Sequence, residues 1–354
     1  MAVLVLVALV AGCGPARPTT APAEPQTATA AEPKAPPAAT AASAPAPPAA
    51  PTATAPAAPR PPLTDLSAWS GPPALPGALL VMVDNIEQAR PQAGIEQADV
   101  VYEAVAEADI TRFLAVFYHR APQLIGPVRS ARFYFVQLAM PYSSPYAHAG
   151  GNADALAMTN GGRYGGHVPG VEDLDAIYNA GGAFWRSQDR PEPWNLWTSS
   201  AALLAAAKGQ GYHLSPPPPL PQGVAAGGDA APRLDIQWSL KGELPNHVTW
   251  LYQNGLYLRE VNGSPHVVES GTQIAARDVV VMDVSSHWIQ NGADLEMDTE
   301  VLGTGRADLF EGGRHWVGTW SKPSAKRPLT FPGFTFGTGP LWIEIVPAGR
   351  QVTW

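Results

Sequence analysis

The sequence predicts an α/β (α+β) N-terminal domain built on a mixed sheet, followed by a smaller all-β C-terminal domain. Three features carry this expectation. A short continuous apolar run, Ala78 to Val83 (ALLVMV), reads as a buried central strand. From there to Lys208, strand-like and helix-like stretches are mixed. Beyond about Leu234 the apolar period changes to two, and glycine-containing turns recur.

The first run ends in Asp84-Asn85, polar residues at a C-terminal sheet edge, where open α/β sheets tend to bind ligands. Asp99 to Glu107 follows, with Tyr102 on one face and Glu103, Val105 and Glu107 expected on the other. Thr111 to His119 (TRFLAVFYH) is strongly β-forming. Asp109 between the two suggests a turn, so they are expected to pair as an antiparallel hairpin. A helix is expected from near Ser130, with Phe133, Val136, Gln137 and Met140 at roughly helical spacing. Pro145 to Ala149 reads as another short strand, passing through Gly150-Gly151 to Asn152. Asn152 is the expected N-cap of a helix from Ala153 to Met158. Asp173 to Ile177 is expected to begin a further helical piece, and Ser199 to Lys208 to form a short helix. Trp185, Trp194 and Trp197 flank a polar loop and read as packing residues. A stacking surface for a sugar or prenyl chain is the alternative.

Ser215 to Ala231 (SPPPPLPQGVAAGGDAA) is a Pro/Gly-rich break. After it, Val248 to Tyr252, Leu256 to Val261, Asp278 to Val284, Ala307 to Phe310, His315 to Trp320 and Leu341 to Val346 read as strands. Asn254-Gly255, Asn262-Gly263 and Gly312-Gly313 are the turns, where φ > 0 is needed. Trp250, Trp316, Trp320 and Trp342 are expected in or near the core. The expected boundaries are 63–213 for the N-terminal domain, 214–233 for the linker and 234–354 for the β-rich domain, as separate folding units.

The start of the chain carries an address. Ala2 to Ala11 is an apolar run too short to span a bilayer as a helix. It ends in Val10-Ala11-Gly12-Cys13, which resembles a bacterial lipobox. Residues 1–12 thus read as a lipoprotein signal peptide and Cys13 as the lipidated mature N-terminus. No Lys or Arg precedes the run, whereas signal peptides carry a positive n-region, so the true start is expected upstream of this methionine. Residues 13–62 are mostly Ala, Pro, Thr and Glu, which cannot build a core and read as a disordered, extended tether. The expected location is extracytoplasmic, held to the cell membrane through the lipid. The net charge of -8 and the lack of lysine clusters argue against nucleic acid and against a polybasic membrane patch. The single cysteine excludes an internal disulfide. No CxxC or HExxH spacing points to a zinc site.

The chemistry concentrates in Gly126 to Gln137 (GPVRSARFYFVQ). With a helix starting near Ser130, Arg129 and Arg132 would share one face of its first turn, where free N–H groups already favour an anion. Two guanidiniums at that end ask for a negative partner. The candidate ligand-binding residues are Arg129, Arg132, Arg112, Asp84, Asn85, His148, Gly150, Gly151 and Asn152. No catalytic residue is assigned and no protein metal site is expected.

VDNIEQARPQAGIEQADVVYEA, ITRFLAVF, IGPVRSAR, YAHAGG, FWR and NLWTS, with the later VTWLYQNGLYLR and GTGRADLFEGGRHWVGTWSK, resemble the YerB-like lipoprotein family. The resemblance runs from about Leu63 to the C-terminus. It implies a surface lipoprotein with an α/β N-terminal and a β-rich C-terminal domain. The family has no established activity, so the resemblance supplies no catalytic residues. Arg190 to Asn195 (RPEPWN) stands where a more basic, histidine-containing stretch is usual, and an insert around Arg163 to Gly170 looks local.

Three readings of the charged residues stay open. One is an internal ion-pair network in which arginines neutralise Glu103 and Glu107. Another is recognition of a phosphate-bearing, carboxylate-bearing or glycan ligand by the arginines. The third is an envelope enzyme acting on a phosphorylated or glycan substrate, with Asp84 holding Mg²⁺. No G-x-S-x-G or S-x-x-K nucleophile motif supports the last.

Overall fold

The computed structural model describes residues 66–159, 171–239, 246–291 and 294–354. The expected signal peptide, Cys13, the expected tether and the segment from Arg163 to Gly170 lie outside the described residues.

β1 (Leu79–Asp84) is buried at every position, which is why its sequence shows no alternation. β2 (Val100–Glu107) and β3 (Ile110–Phe117) form the expected antiparallel hairpin, turned through Ala108 and Asp109 at φ 46 and 61. β4 (Ser144–His148) and β5 (Val171–Asp175) extend the sheet in parallel beyond β1. The residues from Asp173 to Asp175 are therefore strand and not the expected helix. Their carboxylates face the end of β4, and those partners override local helix propensity.

Four short helices are described: α1 (Ser67–Ser70), α2 (Phe133–Ala139), α3 (Ala153–Thr159) and α4 (Ser200–Gly209). α4 is capped by Ser199, whose hydroxyl accepts the N–H of Ala202 at 3.1 Å. α2 begins three residues later than the spacing suggested. Val128 to Ala131 runs extended because its backbone is already committed. Arg129 N–H donates to Met82 at 3.0 Å, and Ala131 N–H donates to Gly150 at 2.8 Å. Arg132 is the residue before α2, at φ -127 and ψ 147. Arg129 and Arg132 therefore do not share a helical turn, and no helix-terminal anion site lies between them.

Apart from a two-residue pair in the N-terminal part, Trp185–Arg186 with Leu196–Trp197, the other strands of five or more residues described are in the C-terminal part: β6 (Arg233–Gln237), β7 (His247–Gln253), β8 (Leu256–Val261), β9 (Asp278–Val284), β10 (Ser286–Asn291), β11 (Asp294–Thr299), β12 (Gly303–Glu311), β13 (Arg314–Lys322) and β14 (Leu341–Pro347). β6, β7 and β8 form a separate antiparallel sheet, extended by Val352–Thr353 beside β6. Asn254 and Gly255, at φ 51 and 89, make the tight turn from β7 to β8. The C-terminal part is thus all β, as its period-two pattern implied.

The large mixed sheet runs in the order β5-β4-β1-β3-β2-β14-β9-β12-β13. β14 lies between β2 and β9 and is parallel to both. Strands from either side of the proline-rich segment are therefore joined in one sheet. That segment is fastened to the body as well, since Ala78 N–H donates to Ser215 at 2.8 Å and Phe336 N–H to Pro221 at 2.9 Å. One face of the sheet packs on α4 and the β6–β8 sheet through Val81, Phe113, Trp250 and Trp342. The other packs on α2 and α3 and on Phe331, Phe334 and Phe336 through Leu80, Leu114 and Ile343. Trp320 is buried with this second core, and Trp316 packs half-buried beside it.

Candidate functional site: an arginine cleft beside the β2–β3 turn

A cleft of about 620 Å³ opens beside the β2–β3 turn. Arg112, Arg129 and Arg132 line it, with Gly151 and Asn152 from the loop before α3. Glu107 and Glu296 supply its carboxylates. Five of the nine residues expected from sequence therefore converge here.

Strand pleat and one irregularity place the first charges. Asp84 is the register partner of Arg112, so both side chains leave the same sheet face. Glu107 was expected beside Glu103, on the other face. The register between β2 and β3 shifts between Val105 and Glu107, and this bulge turns Glu107 to the side of Arg112. Arg112 Nη2 then donates to Glu107 at 2.6 Å and its Nη1 to the Ser130 carbonyl at 3.0 Å. Arg132 Nη2 donates to the other oxygen of Glu107 at 2.7 Å and lies 3.5 Å from Glu296. Burial alone would raise the pKa of Glu107, but Arg112, Arg132 and Arg129 hold it below the ordinary carboxylate value.

Arg129 is placed differently. Its Nε lies 3.0 Å from Asp84 Oδ2, both atoms buried, without hydrogen-bond alignment. Its two Nη groups have no hydrogen-bond partner among the described residues, and the side chain is 27% exposed. Burial lowers the pKa of Arg129 and neighbouring Arg112 lowers it further, an effect that Asp84 and Glu107 do not cancel. Arg112, by contrast, is buried yet raised, because Glu107 and Asp84 outweigh its desolvation. Arg129 is thus the cation of the cleft that the protein compensates least.

Asn152 caps α3 by accepting the Ala155 N–H at 3.0 Å, and its amide donates to Glu296 at 2.7 Å. Glu296 arrives on β11, which pairs with β2 at Glu107. This hairpin was not read from the sequence, although its alternation in DLEMDT was a usable signal.

The other expected site residues lie behind the cleft or away from it. Asp84 backs Arg129, and its Oδ1 accepts the Ile86 N–H at 3.3 Å. His148 is fully buried, with Nε2 at 2.7 Å from Asp173 and Nδ1 at 2.8 Å from the Gly150 carbonyl. It fixes the Gly150-Gly151 loop and is not placed to act as a base. Gly150 adopts φ +62, and its N–H donates to Asp175 at 2.9 Å.

Asn85 is one residue beyond Asp84, so it points to the opposite side of the sheet. There its amide donates to Thr111 at 2.7 Å and Glu103 at 3.2 Å, and it accepts from Arg90 and Gln92. Glu103 is thus not neutralised by the cleft arginines. It is held by Arg259 of β8, at 2.8 and 3.0 Å. His266 accepts from Arg259 and lies 2.9 Å from Gln92 Oε1. Burial, then Arg259 and Arg90, keep that imidazole well below its ordinary pKa and neutral. This second network joins the two sheets and is closed to solvent. The tryptophans near Arg190 are mixed in role: Trp197 is buried under its guanidinium, 5.0 Å away, while Trp185 and Trp194 are half-buried.

A mixed α/β sheet completed by a β-only C-terminal part, with a charge-lined cleft beside its central hairpin, defines a two-domain α/β-plus-β protein. Residues 64–213 match the N-terminal domain, and 234–343 the C-terminal domain, of the family described as protein of unknown function DUF3048. The chain belongs to this family. It is 32% identical over 277 residues to YerB of Bacillus subtilis (strain 168), whose name marks it as a candidate lipoprotein, covering 75% of this chain and 80% of that one. The crystal structure of YerB protein from Bacillus subtilis is similar at a TM-score of 0.69 and 28% identity, over 78% of this chain and 94% of that one. The resemblance to YerB-like proteins read from the sequence motifs is therefore established.

Proposed function

We propose that this is a lipid-anchored, extracytoplasmic lipoprotein of the bacterial cell envelope that binds an anionic, phosphate- or carboxylate-bearing ligand in the arginine cleft. Arg129 carries the reading. It is a partly exposed guanidinium with one carboxylate on Nε and an unspent fork at the wall of a ligand-sized cleft. The anchor is inferred from Cys13 and the tether, and the name of the relative supports it.

A glycan is the second reading, because Glu107, Glu296 and Asn152 add hydrogen-bonding oxygens that suit hydroxyl groups. An acidic sugar would use both sets. The enzymatic alternative with Mg²⁺ on Asp84 fits less well. Both oxygens of Asp84 already face donors, Arg129 and the Ile86 N–H, and a cation there would displace a guanidinium.

The test is a thermal-shift series with phosphate, pyrophosphate and a prenyl phosphate on wild type and Arg129→Ala. A ligand at one hundred times its Kd should stabilise the wild type by about 2.7 kcal/mol. Arg129→Ala should abolish that response while lowering ligand-free stability less than Arg132→Ala does. A flat wild-type response to all three anions would leave only an ion-pair network.

A further inference from the structure

A second cavity, of about 480 Å³, lies on the α2 side of the sheet, over the seam between β2 and β14. Tyr102 and Ile343 belong to its floor, and Trp69, Leu138, Pro218 and Phe336 to its walls. Segments from both family domains and from the proline-rich connection between them build it. Such seams are common places for small-molecule sites, which are mostly apolar with a few converging polar groups.

The polar groups here are unspent. The Tyr102 and Tyr142 hydroxyls lie 2.9 Å apart, and that one bond uses only one of their two hydrogens. Neither hydroxyl has another partner among the described residues. A buried donor left unpaired is costly, so the spare hydrogen of the tyrosine pair asks for an acceptor oxygen. Asp99 also lines the cavity, but its carboxylate is occupied. Oδ2 accepts the N–H groups of Tyr118 and His119 at 2.7 and 3.1 Å, and Oδ1 holds His119 Nδ1 at 2.5 Å. With Nδ1 turned to Asp99, the neutral form of the ring presents Nε2 as an acceptor.

We infer that this cavity binds a small apolar molecule with a single hydroxyl head group. The apolar body lies against the proline and aromatic walls. The head-group oxygen accepts the spare hydrogen of the tyrosine pair, and its O–H donates to His119 Nε2. A pure hydrocarbon would leave that donor unspent. A carboxylate head would be repelled by Asp99.

The experiment is calorimetric titration of the full chain with 4-hexylphenol, with hexylbenzene and 4-hexylbenzoate as comparators. The phenol should bind about tenfold or more tightly than hexylbenzene, the worth of one net hydrogen bond. The double variant Tyr102→Phe with Tyr142→Phe should weaken the phenol by about tenfold and leave hexylbenzene unchanged. Leu329→Trp, which fills the cavity from its wall, should abolish binding of both. If that variant does not fold, the double-variant comparison decides, and full phenol affinity there overturns the inference. Absence of phenol binding to the wild type, or equal affinity for phenol and hydrocarbon, overturns the inference. Tighter binding of the benzoate, or full affinity in a folded Leu329→Trp protein, overturns it as well.

Discussion

Glu103 of β2 and Glu344 of β14 stand opposite one another in the parallel register, both fully buried. One guanidinium, that of Arg259, serves Glu103, while Glu344 accepts the Trp250 indole N–H at 2.8 Å. Burial, and then the charge of Glu103, hold Glu344 well above the ordinary carboxylate range. The seam between the two halves of the large sheet is thus built around an acid that holds its proton more tightly than usual, beside an ion pair.

Glu344→Gln should therefore be tolerated and should change the pH response. An acid whose pKa is raised on folding keeps its proton after the unfolded chain has lost it. Stability then falls as pH rises above the unfolded value of about 4.3. The glutamine variant, which cannot ionise, should be at least as stable as wild type at pH 8, with the gap closing near pH 4. Urea unfolding at both values checks this, and a variant weaker than wild type at pH 8 would count against the protonated acid. Glu103→Gln should cost about 3–5 kcal/mol, because it leaves Arg259 buried without its carboxylate.

His148 has the same sign, through a base instead of an acid. Burial disfavours its charged form, but the hydrogen bond to Asp173, the charges of Asp173 and Asp175 and the Gly150 carbonyl raise its pKa on balance. A base with a raised folded pKa contributes stability that is complete below the unfolded value of about 6.5 and is lost as pH rises through the folded value. The melting-temperature gap between wild type and His148→Gln should be widest near pH 6 and narrow in alkali. A gap independent of pH would show that imidazole packing, and not its charge, holds the Gly150-Gly151 loop.

Much of the fold was legible for stated reasons. A strand buried on both faces leaves a continuous apolar run, so β1 was visible. Asn254-Gly255 is visible because only such residues accept two positive φ angles in succession. What failed depended on distant partners. The start of α2 was misplaced because Met82 and Gly150 capture the backbone of Arg129 and Ala131. The face of Glu107 was misread because a bulge breaks the period of two. Glu296 was missed because its hairpin docks on β2 from far along the chain. The insertion of β14 between β2 and β9 left no local mark, since parallel pairing is not written in either strand.

Cys13→Ser should leave the protein unlipidated and release it from the membrane fraction. The grounds are the small residues leading into the only cysteine and the tether that follows. Among the described residues no helix is long and apolar enough to cross a membrane. Fractionation with metabolic labelling by a fatty-acid analogue reads both outcomes. Full membrane retention of an unlabelled mutant would assign the attachment to something other than Cys13.

The two cleft arginines should separate when they are mutated. Arg132 is spent on the protein: it donates to Glu107 at 2.7 Å and to the Ala131 carbonyl at 3.0 Å, and lies 3.5 Å from Glu296 on the docked hairpin. Arg129 has one carboxylate and an open fork. Arg132→Ala should cost about 1.5–3 kcal/mol without any ligand, the worth of a charge-assisted hydrogen bond. Arg132→Lys should recover only part of that, because an ammonium cannot span Glu107 and the carbonyl as a planar fork does. Arg129→Ala should cost less than Arg132→Ala, since its one contact, with Asp84, is unaligned and its side chain is 27% exposed. A double-mutant cycle of Arg132→Ala with Glu107→Gln should return a coupling of about 0.5–3 kcal/mol, whereas one pairing Arg129→Ala with Glu107→Gln should return little. Equal losses for the two alanine variants would mean that Arg129 is as structural as Arg132, and the cleft would then have no cation to offer a ligand.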